Sequence, residues 1–275
     1  MDTKLLKIFV AVANHKSATI AAQELGCAQS NVTSRIKQLE KIVGQALFHR
    51  TPLGMSLNQE GEKLLTHASD IVNRVEQAMG DLQGKKKQEK LIIGSTESNA
   101  AVRITPFLLG LHKEFPEMEL ELITGTTAEV TKLILDYKVN IAFLTGANTY
   151  SELKVLNALD EQVVLVESKK SVNDHIFISL KKGCGYQEIA MKYISQLPIN
   201  NVKLLEFGSI ETILGCVKAG MGKALLPISL VKKLSHIENF RITKLKKEFS
   251  HVPTTLVCHH NYPPKITDYL TSIQL

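Results

Sequence analysis

Apolar positions recur with helical spacing through the first part of the chain. From Ser17 to Gly44 the pattern predicts two short helices joined by a tight turn. Ile20, Ala21, Ala22 and Leu25 supply a small apolar surface for the first helix, and Ser17 is placed to cap its start through its hydroxyl. Gly26 sits where the chain must turn, a position that favours positive φ. Ser30 is expected to cap the second helix, whose Val32, Ile36, Leu39 and Val43 recur at spacings of four, three and four. Leu47 to Asn58 reads as a short β-wing anchored by Leu47 and Phe48 and turned by Pro52 and Gly54. Glu60 to Gln83 then predicts one long helix, roughly 36 Å at about 1.5 Å per residue. On it Leu64, Ala68, Ile71, Val75, Ala78 and Leu82 form a heptad seam, widened by Leu65, Val72 and Met79. Such a seam can pack on its own chain or on a second copy. The dimer is favoured, because a seam that long outside a compact unit calls for a partner.

From Leu91 onward the pattern alternates. Strands are predicted at 91–94, 120–123, 141–144, 163–166, 176–178, 202–206 and 224–226, with helices up to His112 and over 128–137, 186–196 and 209–218. This βαβ alternation predicts an α/β fold with a parallel sheet covered by helices. Between the halves, the polar run 84–90 reads as a solvated hinge.

The second predicted helix at the start carries a distinctive outer face. Gln29, Ser30, Asn31, Thr33, Ser34, Arg35, Lys37, Gln38 and Lys41 offer hydroxyl, amide and basic groups with few acids among them. A face of this kind fits the DNA major groove, with Arg50 on the wing reaching a phosphate or the minor groove. With Leu6 and Phe9, Ser17, Ala21-Ala22, Leu25, Gln29, Val32, Ile36, Leu39-Glu40, Gly44, Leu47-Phe48, Arg50, Leu57 and Gly61 in register, residues 1–65 resemble the DNA-binding domain of LysR-type transcriptional regulators. Three positions depart from that pattern: Ala28, Ser30 and Ser34 stand where the family usually has serine, proline and a basic residue. Val139–Phe143, Glu206–Glu211 and the run from Val217 to Pro227 extend the likeness over the rest of the chain.

The resemblance implies four parts. They are a winged helix-turn-helix at 1–58, a dimerising linker helix at 59–83, the hinge at 84–90 and an effector-binding domain at 91–275. It implies that the last part is Rossmann-like and built as two subdomains joined by two crossovers, like a periplasmic binding protein, with an effector cleft between them. The implied partners are a pseudo-palindromic operator in double-stranded DNA, a small-molecule effector, and further copies of the chain as a dimer or a dimer of dimers.

Composition is compatible with this reading. The 275 residues carry a net charge of +6, and residues 1–60 hold seven Lys or Arg against four acids, which favours nucleic acid. No apolar run reaches membrane-spanning length, and no signal-peptide plan opens the chain, so a cytoplasmic protein without a membrane partner is expected. That also argues against an exported solute-binding module. An enzyme with an α/β catalytic domain and a DNA-binding regulatory head is the alternative to a regulator. The chain has no nucleophile elbow, P-loop, HExxH, or GxGxxG after a strand, so no catalytic residue and no cofactor are expected.

Ligands of α/β sheets bind at the carboxyl ends of strands. Four such junctions are rich in hydroxyls or glycine, which makes Ser95, Thr96, Ser98, Thr126, Thr127, Cys184 and Ser209 the candidate effector residues. Helix capping alone accounts for any one of these hydroxyls. Glu97 would repel an anion unless it meets a cation or an ammonium group. Gln187 stands where one branch of the family has arginine after Gly-Cys-x-Tyr, which weakens the case for a simple carboxylate effector. Cys184, at a helix start, is read as a small packed residue, with a favoured thiolate at the helix N-terminus as the alternative. The four cysteines show no CxxC pair, and the neighbours in Cys258-His259-His260 point to opposite faces of a strand, so no metal is expected.

Overall fold

Short polar caps set the helices at the beginning of the chain. Asp2 accepts from Leu5 N at 2.9 Å to start α1 (Thr3–His15), and Ser17 accepts from Ile20 N at 3.3 Å to start α2 (Ala18–Glu24). Gly26 turns the chain at φ 62°, and α3 (Gln29–Val43) stops at Gly44, φ 79°. The computed structural model describes residues 1–51, 54–82, 90–170, 173–198, 201–235 and 237–275. Pro52 and the body of the expected hinge, 84–89, lie outside them, as do the side chains of Arg50 and Leu82. Two units divide the chain, Met1–Lys87 and Gln88–Leu275.

In the first unit, α1, α2 and α3 enclose a core of Leu5, Leu6, Phe9, Val12, Ala21, Val32, Ile36 and Leu39. The expected wing is an antiparallel pair, β1 (Phe48–Thr51) and β2 (Gly54–Leu57). β2 is drawn onto the end of α1: Met55 N donates to Lys16 O at 2.8 Å. A Cβ on Gly54 would sit 2.5 Å from that same carbonyl, so only glycine fits there. The long helix α4 (Gln59–Leu82) follows.

Three expectations fail in this unit. Ser30 lies inside α3, whose N-cap is Ala28 with no side-chain bond. Ile20 and Val43 are exposed, because neither lies over the three-helix core. The seam of α4 divides: Leu65, Ala68 and Val72 are buried in the head's own core, whereas Ile71, Val75, Ala78 and Met79 are exposed.

The second unit contains a seven-stranded sheet and a two-stranded one. Its elements run β3 (Lys90–Thr96), α5 (Glu97–Asn99), a π turn (Ala100–Ile104), α6 (Thr105–Glu114), β4 (Glu119–Gly125), α7 (Thr127–Leu135) and β5 (Ile141–Thr145). Then follow β6 (Leu153–Ser168), β7 (Ile176–Leu180), α8 (Gly185–Ser195), β8 (Lys203–Phe207), α9 (Ile210–Lys218), β9 (Ala224–Pro227) and α10 (Ile228–Leu234). The chain closes through β10 (Phe240–Lys244), α11 (Lys247–Ser250), β11 (His251–His259) and α12 (Thr267–Ser272).

The large sheet is mixed rather than parallel. Its order is β10-β6-β11-β5-β3-β4, with β9 also on β6. Only β3–β4 and β3–β5 are parallel there; β6 and β11 pair antiparallel with all their neighbours. The sequence reading missed the first half of β6, all of β10 and all of β11 ahead of Cys258. In β6, Lys154, Asn157, Asp160 and Gln162 interrupt the apolar pattern. These two strands carry the architecture. The start of β6 packs with β3, β5 and α7 through Leu153 and Leu156, and its end, Val163–Val166, joins the core formed with β7, α8, α9 and β9. In β11, Val252 belongs to that same core and Leu256 and Val257 to the first group. They are the two crossovers between two subdomains.

Candidate nucleic-acid interface and ligand cleft

In the first unit, α3 separates apolar from polar residues. Val32, Ile36 and Leu39 are fully buried, whereas Gln29, Ser30, Asn31, Ser34, Arg35, Lys37, Gln38 and Lys41 are exposed and Thr33 is half-buried. Arg35 donates to Gln38 Oε1 at 3.1 Å, which holds its guanidinium along the helix. The first turn holds no acid, and Ala28 offers no side-chain acceptor to the leading N–H groups. Those donors and the positive end of the helix dipole are therefore open to a phosphate. Arg50 belongs to β1, and its side chain lies outside the described residues.

In the second unit, a cleft of about 110 Å³ opens at the carboxyl ends of β3, β4, β7 and β8. Thr96, Glu97, Gly125, Thr126 and Glu129 line one side, and Leu180, Lys181, Cys184 and Gly208 the other. Of the residues expected here, Thr96, Thr126 and Cys184 are on the wall; Ser95, Ser98, Thr127 and Ser209 are not. Ser95 is buried and donates to Thr96 O at 3.1 Å. Thr127 Oγ1 accepts from Gly185 N at 3.2 Å, and Ala128 N donates to Gly183 O at 3.1 Å, so the β4–α7 and β7–α8 junctions touch directly. Ser209 caps α9 by accepting from Thr212 N at 3.3 Å.

Thr126 is engaged locally. Its hydroxyl accepts from Glu129 N at 3.2 Å and donates to Glu129 Oε2 at 2.9 Å, while its own N–H donates to that carboxylate at 2.8 Å. This reciprocal capping box holds the start of α7. The N–H and hydroxyl of Thr126, with the charge of Lys181 adding, keep the Glu129 carboxyl below its ordinary range. The Thr126-x-x-Glu129 spacing is a readable box, yet Glu129 was missed as a cleft residue. Lys181 was missed because nothing local distinguishes it from any residue at a strand end.

Behind Thr96 lies a buried polar network. Thr96 Oγ1 is 3.3 Å from Ser98 Oγ and 3.2 Å from Thr145 Oγ1, and it accepts from Asn99 Nδ2 at 2.9 Å. Asn99 Oδ1 accepts from Arg103 at 2.9 Å, and Arg103 pairs with Glu161, both buried. Ser98 thus belongs to the support of the cleft rather than its surface.

The surroundings of Cys184 favour plain packing over a thiolate. Burial pushes its pKa up, outweighing the N–H groups of Tyr186 and Gln187 that would favour the anion.

Comparison with known proteins agrees across both units. Residues 3–62 match the model of the bacterial regulatory helix-turn-helix protein, lysR family, and residues 84–273 match the LysR substrate binding domain. The HTH-type transcriptional regulator GltR of Bacillus subtilis is 30% identical, over 100% of this chain and 96% of its own. A full-length OxyR variant from Pseudomonas aeruginosa shares the fold with a TM-score of 0.79 at 17% identity, over 98% of this chain and 93% of that one. Full-length CbnR, solved with its target DNA, does so with a TM-score of 0.58 at 16% identity, over 98% of this chain and 97% of that one.

Proposed function

This chain belongs to the LysR family of bacterial regulatory helix-turn-helix proteins, and on that premise we propose how its parts divide the work of a DNA-binding transcriptional regulator. Residues 1–58 are the DNA-binding domain, 59–83 the dimerising helix, 84–90 the hinge, shortened to 84–89 because Lys90 already pairs in β3, and the remainder to 275 the effector domain. In the head, Gln29, Asn31 and Thr33 read base edges, joined by Ser30 and Ser34, while Arg35, Lys37 and Arg50 hold phosphates. The observation that carries this reading is α3 itself: three fully buried apolar residues under a face of exposed amides, hydroxyls and cations, with an uncapped start. CbnR, which shares the fold, was solved on its target DNA. The exposed stripe of Ile71, Val75, Ala78 and Met79 is the dimer contact, since two heads suit a pseudo-palindromic site.

The cleft at the strand ends is the effector site. GltR is named a transcriptional regulator, which supports a protein that signals through binding and does not turn its ligand over. No described helix is long and apolar enough to cross a membrane, and we place the protein in the cytoplasm, where its DNA is.

The test is selection of genomic fragments on the full-length protein, followed by footprinting. The expected outcome is protection of a pseudo-palindrome, with affinity that falls steeply with salt as counterions are released. Equal binding to every fragment would remove sequence-specific regulation.

A further inference from the structure

The charges around the cleft are arranged for a ligand carrying both signs. Glu97 and Lys181 line it from opposite sides, following β3 and β7, and neither side chain makes a hydrogen bond or ion pair with a described residue. The third charged group, Glu129, is already engaged by Thr126. Lys181 lies across Gly208: a Cβ there would be 2.8 Å from its Cε and 3.2 Å from its Nζ. That position is just ahead of Ser209, the N-cap of α9 (Ile210–Lys218). A cation at the positive end of a helix has an unfavourable field, eased here only at a distance by the charge of Glu129, and an anion placed between cation and helix satisfies both. Glu97 presents the opposite need.

We propose that the cleft takes a zwitterion of the α-amino-acid class, its carboxylate at Lys181 and the head of α9, its ammonium at Glu97. This rests on the reading of the cleft as the effector site. A dicarboxylate meets two acidic side chains and a single cation here, and Gln187, the neutral residue on α8, is occupied in donating to Glu206 at 2.8 Å. A diamine would set a second cation beside Lys181. Only a ligand with one charge of each sign answers both walls.

Titration calorimetry on the full-length protein tests this with each proteinogenic amino acid, with short dicarboxylates, and, for any amino acid that binds, with the matching acid lacking the amino group and the matching amine lacking the carboxylate. At least one amino acid is expected to bind, and each matched analogue at least tenfold more weakly. Glu97→Gln should weaken the amino acid at least tenfold while leaving the acid without an amino group within about threefold; Lys181→Met should do the converse with the amine. Both side chains are exposed, so the variants keep the fold, which a thermal melt verifies. Absence of binding by every amino acid, equal binding of an analogue, or indifference to Glu97→Gln overturns the zwitterion. A dicarboxylate that binds and depends on Lys181 would keep the cleft as the site while removing the zwitterion. An amino acid that binds with unchanged affinity in both variants would place the site elsewhere.

Discussion

Arg103 and Glu161 form an ion pair sealed inside the second unit, joining the π turn after β3 to the middle of the crossover strand β6. Their side chains are only 8% and 5% exposed, and Arg103 also donates to Asn99, which supports Thr96 on the cleft wall. Two charges removed from water hold together only while both are present. Glu161→Ala should therefore destabilise the protein by about 3–5 kcal/mol, since it leaves a buried guanidinium unpaired. The double variant Arg103→Met with Glu161→Leu should recover most of that loss. Urea unfolding followed by circular dichroism compares the three; equal loss in the single and double variants would show that the pair's charge is not what matters.

The two faces of α4 should respond differently to a charge. Val72 is buried in the head's own core, so Val72→Asp should lower stability by several kcal/mol, on the order of the cost of an unpaired buried charge. Val75 is 42% exposed, and Val75→Asp should leave the melting temperature near that of the parent chain while shifting sedimentation toward monomer and weakening DNA binding. A dimer that survives Val75→Asp and Ile71→Asp would remove this stripe as the interface.

On α3, base reading and phosphate holding have different signatures. Gln29→Ala should cost about 1–3 kcal/mol on the operator and relax preference at one base position, with little change on random DNA. Lys37→Ala should weaken operator and random DNA alike and reduce the slope of log affinity against log salt by about one unit. Mobility shifts over a salt series separate the two; a Gln29→Ala protein with undiminished discrimination would take that residue out of the reading face.

Glu129 links the cleft to pH. Its carboxyl is held below its ordinary range in the folded protein, first by the Thr126 N–H and then by the Thr126 hydroxyl. Stability from this box is therefore present above the unfolded pKa of Glu129 and is lost as pH falls through the lower folded value. Thr126→Val, which deletes the hydroxyl, should cost about 1 kcal/mol near neutrality, with the gap to wild type narrowing as the pH drops below the carboxylate range and leaving only the part due to the bond from Glu129 N. Thermal melts across that window check it; a gap independent of pH would mean that the hydroxyl contributes without the carboxylate.

The sequence by itself determined the local elements and the faces of the head. Ser17 marks the start of α2 and Gly26 the α2–α3 turn because a cap and a positive φ are chemical requirements of single positions, and Val32, Ile36 and Leu39 face the core because helical spacing leaves them no other side. The resemblance supplied the family and the two crossovers, which periodicity does not carry. Only the tertiary structure decided which part of the α4 seam is spent on the head, since Leu65, Ala68 and Val72 differ from Ile71 and Val75 only in what lies opposite. It alone assigned the polar residues of β6 to a crossover strand, where Glu161 is tolerable because Arg103, far away along the chain, neutralises it. It also separated cleft wall from support: Thr96 and Ser98 are both capping-type residues in sequence, yet one lines the cavity and the other braces it from behind. Lys181 and Glu97 became a pair of opposite charges across one space only when β3 and β7 brought their carboxyl ends to the same cleft. Positions set by a residue's own backbone and near neighbours are legible along the chain; those set by partners distant along it exist only in the folded form.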